Sequence, residues 1–420
     1  MKTALTYLVI FLATALGLEG VSLFTLVWSD HQRGNSLGQS FTSRWKQHPW
    51  NSTIVNYGLY DPIIEQRYKA GSRTGKLEIN RYGFIHNGHS STTLNSFPEK
   101  PRDLYRIILL GGSTTAGNAL RSDNTQTIAA WTERLLNAKT SPDYQFQVLN
   151  FGVSGGYSWT EMNRFFDEVI HLDPDLVISL DGWNDAIYSA FEHERQEINH
   201  GIANWSQLSY LYFDQMSGLE LNKAQTPPPI LTYTFLLLTE QGLLGGVDPE
   251  KRRQAYESHP AYQLTQYWIQ KHGGLDFLLP THWEAIATYC QAHNISYLAY
   301  LQPFAGYKKS LTAMEEERVS QAHIQTRTTS GPSWERNRYK EIMYNMYARY
   351  ENHLSRLEQN YTKTSNIRFY NITDIFFTIA EPIYLDMVHY NELGNQLLAH
   401  RFQSHIMEIL GPSTRINQQG

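Results

Sequence analysis

The sequence predicts an α/β fold of three layers, in which a five-stranded parallel β-sheet lies between two layers of helices. Short apolar runs alternate with segments of helical periodicity, and the first three runs each end in a turn rich in glycine or asparagine. Strands that alternate with helices in this way are typical of a parallel sheet covered on both faces. An apolar run at the amino terminus adds a predicted transmembrane helix. The five predicted strands are residues 105–110, 146–151, 175–180, 295–301 and 366–372.

The spacing of apolar residues predicts the helices between these strands. Ile128, Trp131 and Leu135 recur at helical spacing after the first strand, and residues 160–171 follow the second. A long helix precedes the fifth strand, and the last helix begins after Asn391, its predicted N-cap. The predicted buried stripes of these two helices are Tyr339, Met343, Met346, Tyr350, Leu354 and Leu357 in one, and Leu393, Leu397, Phe402, Ile406 and Ile409 in the other.

Residues 4–28 form the apolar run at the amino terminus, and Glu19 is its one charged residue. At about 1.5 Å per residue, a helix of this length crosses the roughly 30 Å hydrocarbon core of a bilayer. A cleaved signal peptide that ends near Ala15 is the alternative. Because apolar residues continue beyond Ala15, the sequence favours an uncleaved signal anchor over residues 1–33.

The charges that flank this run predict the orientation of the chain. Lys2 and the amino terminus precede the run, whereas Asp30 and Arg33 nearly cancel behind it. The positive-inside rule therefore places the rest of the chain outside the cytoplasm, in the periplasm or at the cell surface.

Three further regions follow from composition. Residues 34–103 are polar and rich in turn-forming residues, which predicts a stalk and an irregular lead-in. Residues 104–412 form the α/β domain, with a long insertion at 190–285. We interpret the insertion as a cap on the substrate side, the alternative being an embellishment remote from the site. The acidic run 315–317 is typical of a solvated helix face.

Composition excludes several classes of partner. The net charge of −5, with no long block of lysine and arginine, argues against nucleic-acid binding. The single cysteine, Cys290, excludes an intrachain disulfide and a cysteine-based zinc site. His171 and His282 have no neighbouring carboxylate or histidine at metal-ligand spacing and are predicted to be packing or surface residues. We expect no metal and no cofactor.

The residues with candidate chemistry lie in four turns after predicted strands. These turns are GGST at 111–114, NFGVSGG at 150–156, DGWND at 181–185 and DMVH at 386–389. In an open parallel sheet the ligand site lies beyond the carboxyl ends of the strands. A serine needs a histidine to take its proton, and that histidine needs an acid to hold its tautomer. The DMVH segment presents both partners on one short loop.

In their order and strand context, these four blocks resemble those of the SGNH, or GDSL, hydrolase superfamily. The resemblance implies a flavodoxin-like α/β/α sandwich in which Ser113 is the nucleophile and Asp386 and His389 complete a triad. It also implies an oxyanion hole formed by the backbone N–H of Ser113, the backbone N–H of Gly155 and the side-chain amide of Asn184.

Two details refine the resemblance. Gly112 stands where the GDSL pattern has aspartate, which leaves the subfamily open and does not affect the triad. Residues 79–84 (INRYGF) and 301–304 (LQPF) are similar to segments of membrane-attached bacterial members with extracytoplasmic domains.

A second serine also fits a nucleophile motif. Ser154, in Gly152-Val153-Ser154-Gly155-Gly156, matches the G-x-S-x-G nucleophile elbow and follows a strand. Enzymes with that elbow usually carry the acid and the histidine on separate loops, and this assignment would leave Ser113 and Asn184 without a role. The sequence therefore favours Ser113.

The resemblance implies a serine esterase that cleaves acyl esters. The predicted extracytoplasmic location and the aromatic residues of the insertion favour O-acetylated or otherwise acylated cell-envelope polysaccharide as the substrate, with a lipid ester as the second choice. Transfer of the acyl group to a glycan hydroxyl is an alternative, because both reactions share the acyl-enzyme. A non-catalytic glycan-binding module that retains the fold is the other alternative.

Overall fold

The structure of the protein is a computed structural model. It describes residues 2–32, 36–38, 40–41, 58–61, 65–68, 70–74, 76–88, 97–117, 123–139, 145–194, 267, 270–325, 336–364 and 366–411. The chain divides into two compact units, of which residues 1–55, 200–268 and 328–332 form the first and the remaining residues form the second. The second unit contains the sheet and the candidate site.

The described strands are β1 (Gly58–Asp61), β2 (Glu65–Tyr68), β3 (Arg73–Thr74), β4 (Leu77–Glu78), β5 (Leu104–Gly111), β6 (Gln145–Asn150), β7 (Leu176–Asp181), β8 (Ser296–Leu301) and β9 (Ile367–Asn371). The described α-helices are α1 (Lys2–Gln32), α2 (Ser113–Ala116), α3 (Ile128–Asn137), α4 (Ser158–Asp167), α5 (Trp183–Glu194), α6 (Leu278–Ala292), α7 (Ala313–Gln325), α8 (Arg336–Asn360) and α9 (Glu392–Leu410).

The five strands β5–β9 form one parallel sheet in the order β6-β5-β7-β8-β9. The register pairs Gly111 with Leu180 and Asp181 with Leu301, so the carboxyl ends of the three central strands lie at one edge. All five predicted strands are confirmed to within two residues at each end. The turns that follow β5, β6 and β7 are therefore brought together at this edge.

Both faces of the sheet are covered. Every residue of β7 and β8 is buried, and successive side chains of a strand point to opposite faces, so burial of all of them requires a layer on each side. Helix α9 packs against α3, while α6 packs against α4 and α8. Asn391 caps α9 as predicted, because its side chain accepts a hydrogen bond from the Gly394 N–H at 3.0 Å.

The lead-in before β5 differs from the irregular stalk that the sequence predicts. Strands β1 and β2 pair in an antiparallel hairpin, as do β3 and β4, and Ile85 forms a bridge with Asn150 at the end of β6. The Asn87 amide donates to the Val148 carbonyl of β6 at 2.7 Å. Strands of two to four residues give too little periodicity to be recognised in the sequence, and their stability depends on packing against the α/β unit.

The acidic run at 315–317 is solvated only in part. Glu316 and Glu317 are exposed, but Glu315 is completely buried, so the prediction of a solvated face was wrong for this residue. The reason is a buried lysine, Lys308, whose Nζ lies 2.7 Å from the Glu315 carboxylate.

The amino-terminal segment is the helix α1, which contains the predicted apolar run at 4–28. Within the part of the chain that the structure describes, no helix is both long enough and apolar enough to cross a membrane. The signal anchor therefore stays a prediction. Most of the insertion predicted at 190–285 lies outside the described residues, and its last eight positions form the start of α6.

Candidate active site

The turn after β5 presents Ser113 at the start of a short helix. Gly111 has φ +156°, and an added Cβ there would meet the Thr115 hydroxyl at 1.9 Å, so only glycine fits this position. The chain then enters α2, whose first residue is Ser113, and the left-handed Gly117 (φ 81°) ends the helix after one turn. This strand, turn and helix place the Ser113 side chain at the carboxyl edge of the sheet.

Ser113, His389 and Asp386 form a continuous chain of hydrogen bonds. The Ser113 Oγ lies 2.7 Å from Nε2 of His389, and Nδ1 of His389 lies 2.6 Å from Oδ2 of Asp386. The histidine and aspartate side chains are about a quarter exposed, at 22% and 31%. The structure thus brings together the three residues that the sequence analysis selected as a triad.

The carboxylate of Asp386 is held in its ionised form. Burial acts to raise its pKa, but the hydrogen bond from His389, the charge of that ring whenever it is protonated, and the backbone N–H groups of His389 and Val388 outweigh burial and lower the pKa below its ordinary value. Both N–H groups donate to Oδ1 at 2.9 Å. Oδ2 therefore accepts the proton of Nδ1, and Nε2 is left as the acceptor that faces the serine.

Asn184 and the glycine turn after β6 lie beside the serine. The Asn184 side-chain amide donates to the Gly156 carbonyl at 2.7 Å. The glycine turn is tied to the serine turn, because the Val153 N–H donates to the Gly111 carbonyl at 3.0 Å. Gly155, the predicted backbone donor, has φ +75° in this turn. The turn thus takes a left-handed conformation that favours glycine at the predicted position.

An open pocket of about 220 Å³ lies at this edge of the sheet. Its walls come from the turns after β5, β6, β7 and β8 and from the loop that carries His389. The lining residues are Gly112, Ser113, Thr114, Gly156, Leu180, Asp181, Gly182, Trp183, Asn184, Asp185, Gln302 and Val388. Much of this volume is open to solvent, and little enclosed space lies beside Ser113.

Ser154 has a different environment. It lies in the turn after β6, and its backbone N–H donates to the Tyr68 hydroxyl at 3.0 Å. The Nε2 atom of His389 makes its hydrogen bond to Ser113. The geometry therefore favours Ser113 over Ser154 as the nucleophile.

The sequence analysis misses a buried acidic cluster that includes two residues of the pocket wall. The carboxyl groups of Glu161, Asp181 and Asp185 are all buried. Burial is the largest cause that raises each pKa above its ordinary value, to about 7 for Asp185. The DGWND motif contains two of these residues, but nothing local in the sequence indicates that Glu161 of α4 points into the same interior.

His282, which was predicted to be a packing or surface residue, is buried beside this cluster. Its Nδ1 lies 2.7 Å from Oγ of Ser158, and the Ser158 hydroxyl also contacts the Asp185 carboxylate. Burial lowers the pKa of His282 to about 4, which keeps the ring neutral. His171 is exposed. Among the residues described, no cluster of three or more histidine, cysteine or acidic side chains is arranged to hold a metal ion.

The comparisons with known proteins give matches among solved structures only. No protein-family model and no curated protein matches the chain. The acetylxylan esterase Axe2 of Geobacillus stearothermophilus is 13% identical, with 73% of this chain and 94% of that chain covered and a TM-score of 0.34. The acetyl xylan esterase AlAXEase is 15% identical, with coverages of 72% and 100% and a TM-score of 0.33.

A third solved structure is that of a protein assigned to the lipolytic G-D-S-L family, from Desulfitobacterium hafniense. It is 11% identical, with coverages of 71% and 98% and a TM-score of 0.30. Because all three TM-scores lie below 0.5, no activity or substrate is transferred from these proteins to the chain. The function proposed below depends on the geometry of the site.

Proposed function

We propose that this protein is a serine esterase of the SGNH type, which cleaves acyl esters through Ser113, His389 and Asp386. The observation that carries the proposal is the chain of hydrogen bonds from Asp386 through His389 to Ser113, at 2.6 and 2.7 Å. Such a chain is the arrangement that converts a weakly nucleophilic hydroxyl into an attacking group.

The first half of the reaction follows from the tautomer of His389. Nε2 takes the proton of the Ser113 hydroxyl as its oxygen attacks the ester carbonyl, and the ring becomes positively charged. The ionised Asp386 carboxylate accepts the Nδ1 proton and stabilises that charge. The same ring then gives its Nε2 proton to the alcohol as the alcohol departs. The acyl group remains bound to Ser113 as an ester.

The negative oxygen of the tetrahedral intermediate needs hydrogen-bond donors. We assign this role to the backbone N–H groups of Ser113 and Gly155 and to the amide of Asn184. One amide proton of Asn184 binds the Gly156 carbonyl, which fixes the orientation of the amide and leaves the second proton for the intermediate. Loss of one such donor lowers kcat by about 10²- to 10³-fold in enzymes of this kind.

Water completes the cycle when His389 activates it against the acyl-enzyme. The pocket has little enclosed space beside Ser113, which suits a small acyl group, with acetyl as the first choice. The ester would then be an O-acetyl group on a glycan of the cell envelope. This part of the proposal is supported by the size of the pocket and by the amino-terminal apolar run.

The proposal includes the location of the protein at a membrane. Residues 4–28 would anchor the chain in a membrane, with the esterase unit on the extracytoplasmic side. The test is fractionation of cells that express the full chain or a form without residues 1–33. The full chain should remain in the membrane fraction after alkaline washing, and its presence in the soluble fraction would contradict the anchor.

The catalytic assignment is tested with the purified full chain and a small activated acetyl ester. Ser113→Ala and His389→Ala should each lower kcat by at least about a thousandfold. Ser154→Ala is the matched control, since it removes the hydroxyl of the competing motif, and it should retain wild-type turnover. An acetyl adduct trapped at Ser113 would support the covalent step. Equal rates in the wild type and Ser113→Ala would exclude the proposed triad chemistry.

A further inference from the structure

A buried ion pair lies outside the triad, between Lys308 and Glu315. The Lys308 Nζ donates to Oε2 of Glu315 at 2.7 Å and to Oε1 at 3.0 Å, and its third contact is the Glu381 carbonyl at 2.7 Å. Neither side chain is exposed to solvent. A charged pair is retained in a protein interior only where further hydrogen bonds satisfy it, which indicates a site with a constrained geometry.

Glu315 receives hydrogen bonds from two further segments. Just before α7, the Thr312 N–H and hydroxyl donate to Oε2 at 2.8 and 2.9 Å. The Glu315 N–H donates back to the Thr312 hydroxyl oxygen at 3.3 Å, which completes a capping box. The backbone N–H groups of Ile383 and Tyr384 donate to Oε1 at 2.8 and 3.0 Å. One carboxylate thus joins Lys308, the start of α7 and the segment before the DMVH loop, and these contacts together lower the pKa of Glu315 to about 2 although burial alone would raise it.

The segment held by Glu315 is one side of the turn that carries the acid and the base. Tyr384 forms a bridge with Tyr390, and the Leu385 N–H donates to the His389 carbonyl at 2.8 Å. Asp386 and His389 lie within this turn. Its far side is fixed by the Tyr390 hydroxyl, which donates to the Pro303 carbonyl at 2.7 Å.

We propose that Glu315 and Lys308 are positioning residues for the reaction. They touch no reacting atom. They hold in place the segment at Ile383 and Tyr384, where the turn that presents Asp386 and His389 to Ser113 begins. Loss of the pair lets the turn shift, and the Nε2 to Oγ distance of 2.7 Å is no longer maintained. The barrier to acyl transfer then rises, while the pocket that binds the ester keeps its shape.

This inference rests on the proposed esterase function, and its test uses the purified full chain with the same activated acetyl ester. Glu315→Gln keeps the shape of the side chain and removes its charge. Glu316→Gln is the matched control, an exposed neighbour on the same helix. We expect Glu315→Gln to lower kcat about 10- to 100-fold with KM within about twofold, because small misplacements of catalytic groups have effects of this size. Glu316→Gln should behave as the wild type.

A double variant covers the case in which Glu315→Gln does not fold. Lys308→Met with Glu315→Gln removes both charges, so no unpaired charge stays buried. A lowered kcat at near-constant KM in this folded variant supports the positioning role. Wild-type kcat in the folded double variant, or in folded Glu315→Gln, overturns it.

A second measurement separates this inference from the esterase function. The imidazole proton between His389 and Asp386 is followed by proton NMR in the wild type, Glu315→Gln and Glu316→Gln, and is assigned by its loss in Asp386→Asn. A shifted or broadened signal in Glu315→Gln alone supports positioning even if the wild type shows no turnover. An unchanged signal in all folded variants overturns it, whatever the activity.

Discussion

At the scale of single residues, Gly112 brings the serine turn close to the oxyanion donors. A Cβ added to this residue would lie 2.8 Å from Nδ2 of Asn184 and 2.8 Å from the Gly156 carbonyl oxygen. These two atoms are already hydrogen-bonded to each other at 2.7 Å, so neither moves away without breaking that bond. Glycine in place of the aspartate of the GDSL pattern therefore allows the two turns to approach closely.

Gly112→Ala is expected to lower kcat by about 10²- to 10³-fold, the effect of one displaced oxyanion donor. The backbone at Gly112 is extended, with φ −79°, so alanine meets no left-handed strain there and the effect comes mainly from the added methyl group. Steady-state kinetics with the acetyl ester measures it. Gly17→Ala is the control, because an added Cβ there meets nothing within 4 Å. Wild-type kcat in Gly112→Ala would contradict the assigned donors.

At the scale of elements, aromatic packing joins the lead-in to the side of the sheet formed by its outer strand β6. The Phe84 ring stacks on Phe151 with centroids 4.9 Å apart and meets Phe97 edge-on at 5.4 Å. Ile85 pairs with Asn150 on β6, which is an outer strand of the sheet. Exposed outer strands promote association between molecules, so a lead-in that covers this edge also protects it.

Phe84→Ala should lower the free energy of unfolding by about 3–5 kcal/mol, as expected for a large buried side chain that leaves a cavity. Phe84 is only 2% exposed, whereas Phe166 on α4 is 38% exposed. Phe166→Ala is thus the matched control and should cost less than about 1 kcal/mol. Urea unfolding of both variants gives the comparison. Equal losses of stability in the two variants would mean that packing of the lead-in contributes little to the free energy of unfolding of the α/β unit.

At the scale of the whole molecule, buried ionisable groups set the dependence of stability on pH. The pKa of Glu133 is raised to about 7 by burial, and those of Glu161, Asp181 and Asp185 are also raised. When the pKa of a carboxyl group is higher in the folded than in the unfolded protein, binding of its proton stabilises the fold. This contribution to the free energy of unfolding is complete below the unfolded pKa of about 4–4.5, and it is lost as the pH rises through the folded pKa.

Two histidines and Glu315 have lowered pKa values, so their contributions to stability are lost as the pH falls. Burial lowers the pKa values of His282 and His405 to about 4, so their contribution is complete above about pH 6.5 and is lost as the pH falls to 4. Glu315, with a folded pKa of about 2, loses its contribution between about pH 4.5 and 2. Burial also raises the pKa of Glu358. Between about pH 4.5 and 6.5, these raised carboxyl groups therefore oppose the two histidines.

We therefore expect a higher melting temperature at pH 5 than at pH 8, measured by calorimetry in buffers of equal ionic strength. Glu133→Gln should raise the melting temperature at pH 8 and change it little at pH 3.5, a pH below the unfolded pKa of about 4.5, where Glu133 is largely protonated in both states. Gln retains an acceptor for the Val148 N–H, which now donates to Glu133 at 2.8 Å. An equal effect of Glu133→Gln at both pH values would contradict this account.

The sequence by itself determined the parallel sheet and the residues of the candidate triad. The five strands of the sheet have local apolar runs, and Asn391 has a local N-cap pattern, so their signals lie within a few neighbouring residues. The pair Asp386 and His389 is only three residues apart, which one loop presents together. Ser113 is selected because the four turns resemble the blocks of the SGNH hydrolases, in which the serine of the first block is the nucleophile.

Only the tertiary structure decided that Ser113 and His389, which are 276 positions apart, meet at 2.7 Å. It also decided the burial of Glu315 and Glu161 and the hairpins of the lead-in. The physical reason is that periodicity and capping are properties of neighbouring residues, whereas the burial of a charge depends on partners from distant segments. Lys308 and the N–H groups of Ile383 and Tyr384 reach Glu315 only after the chain has folded.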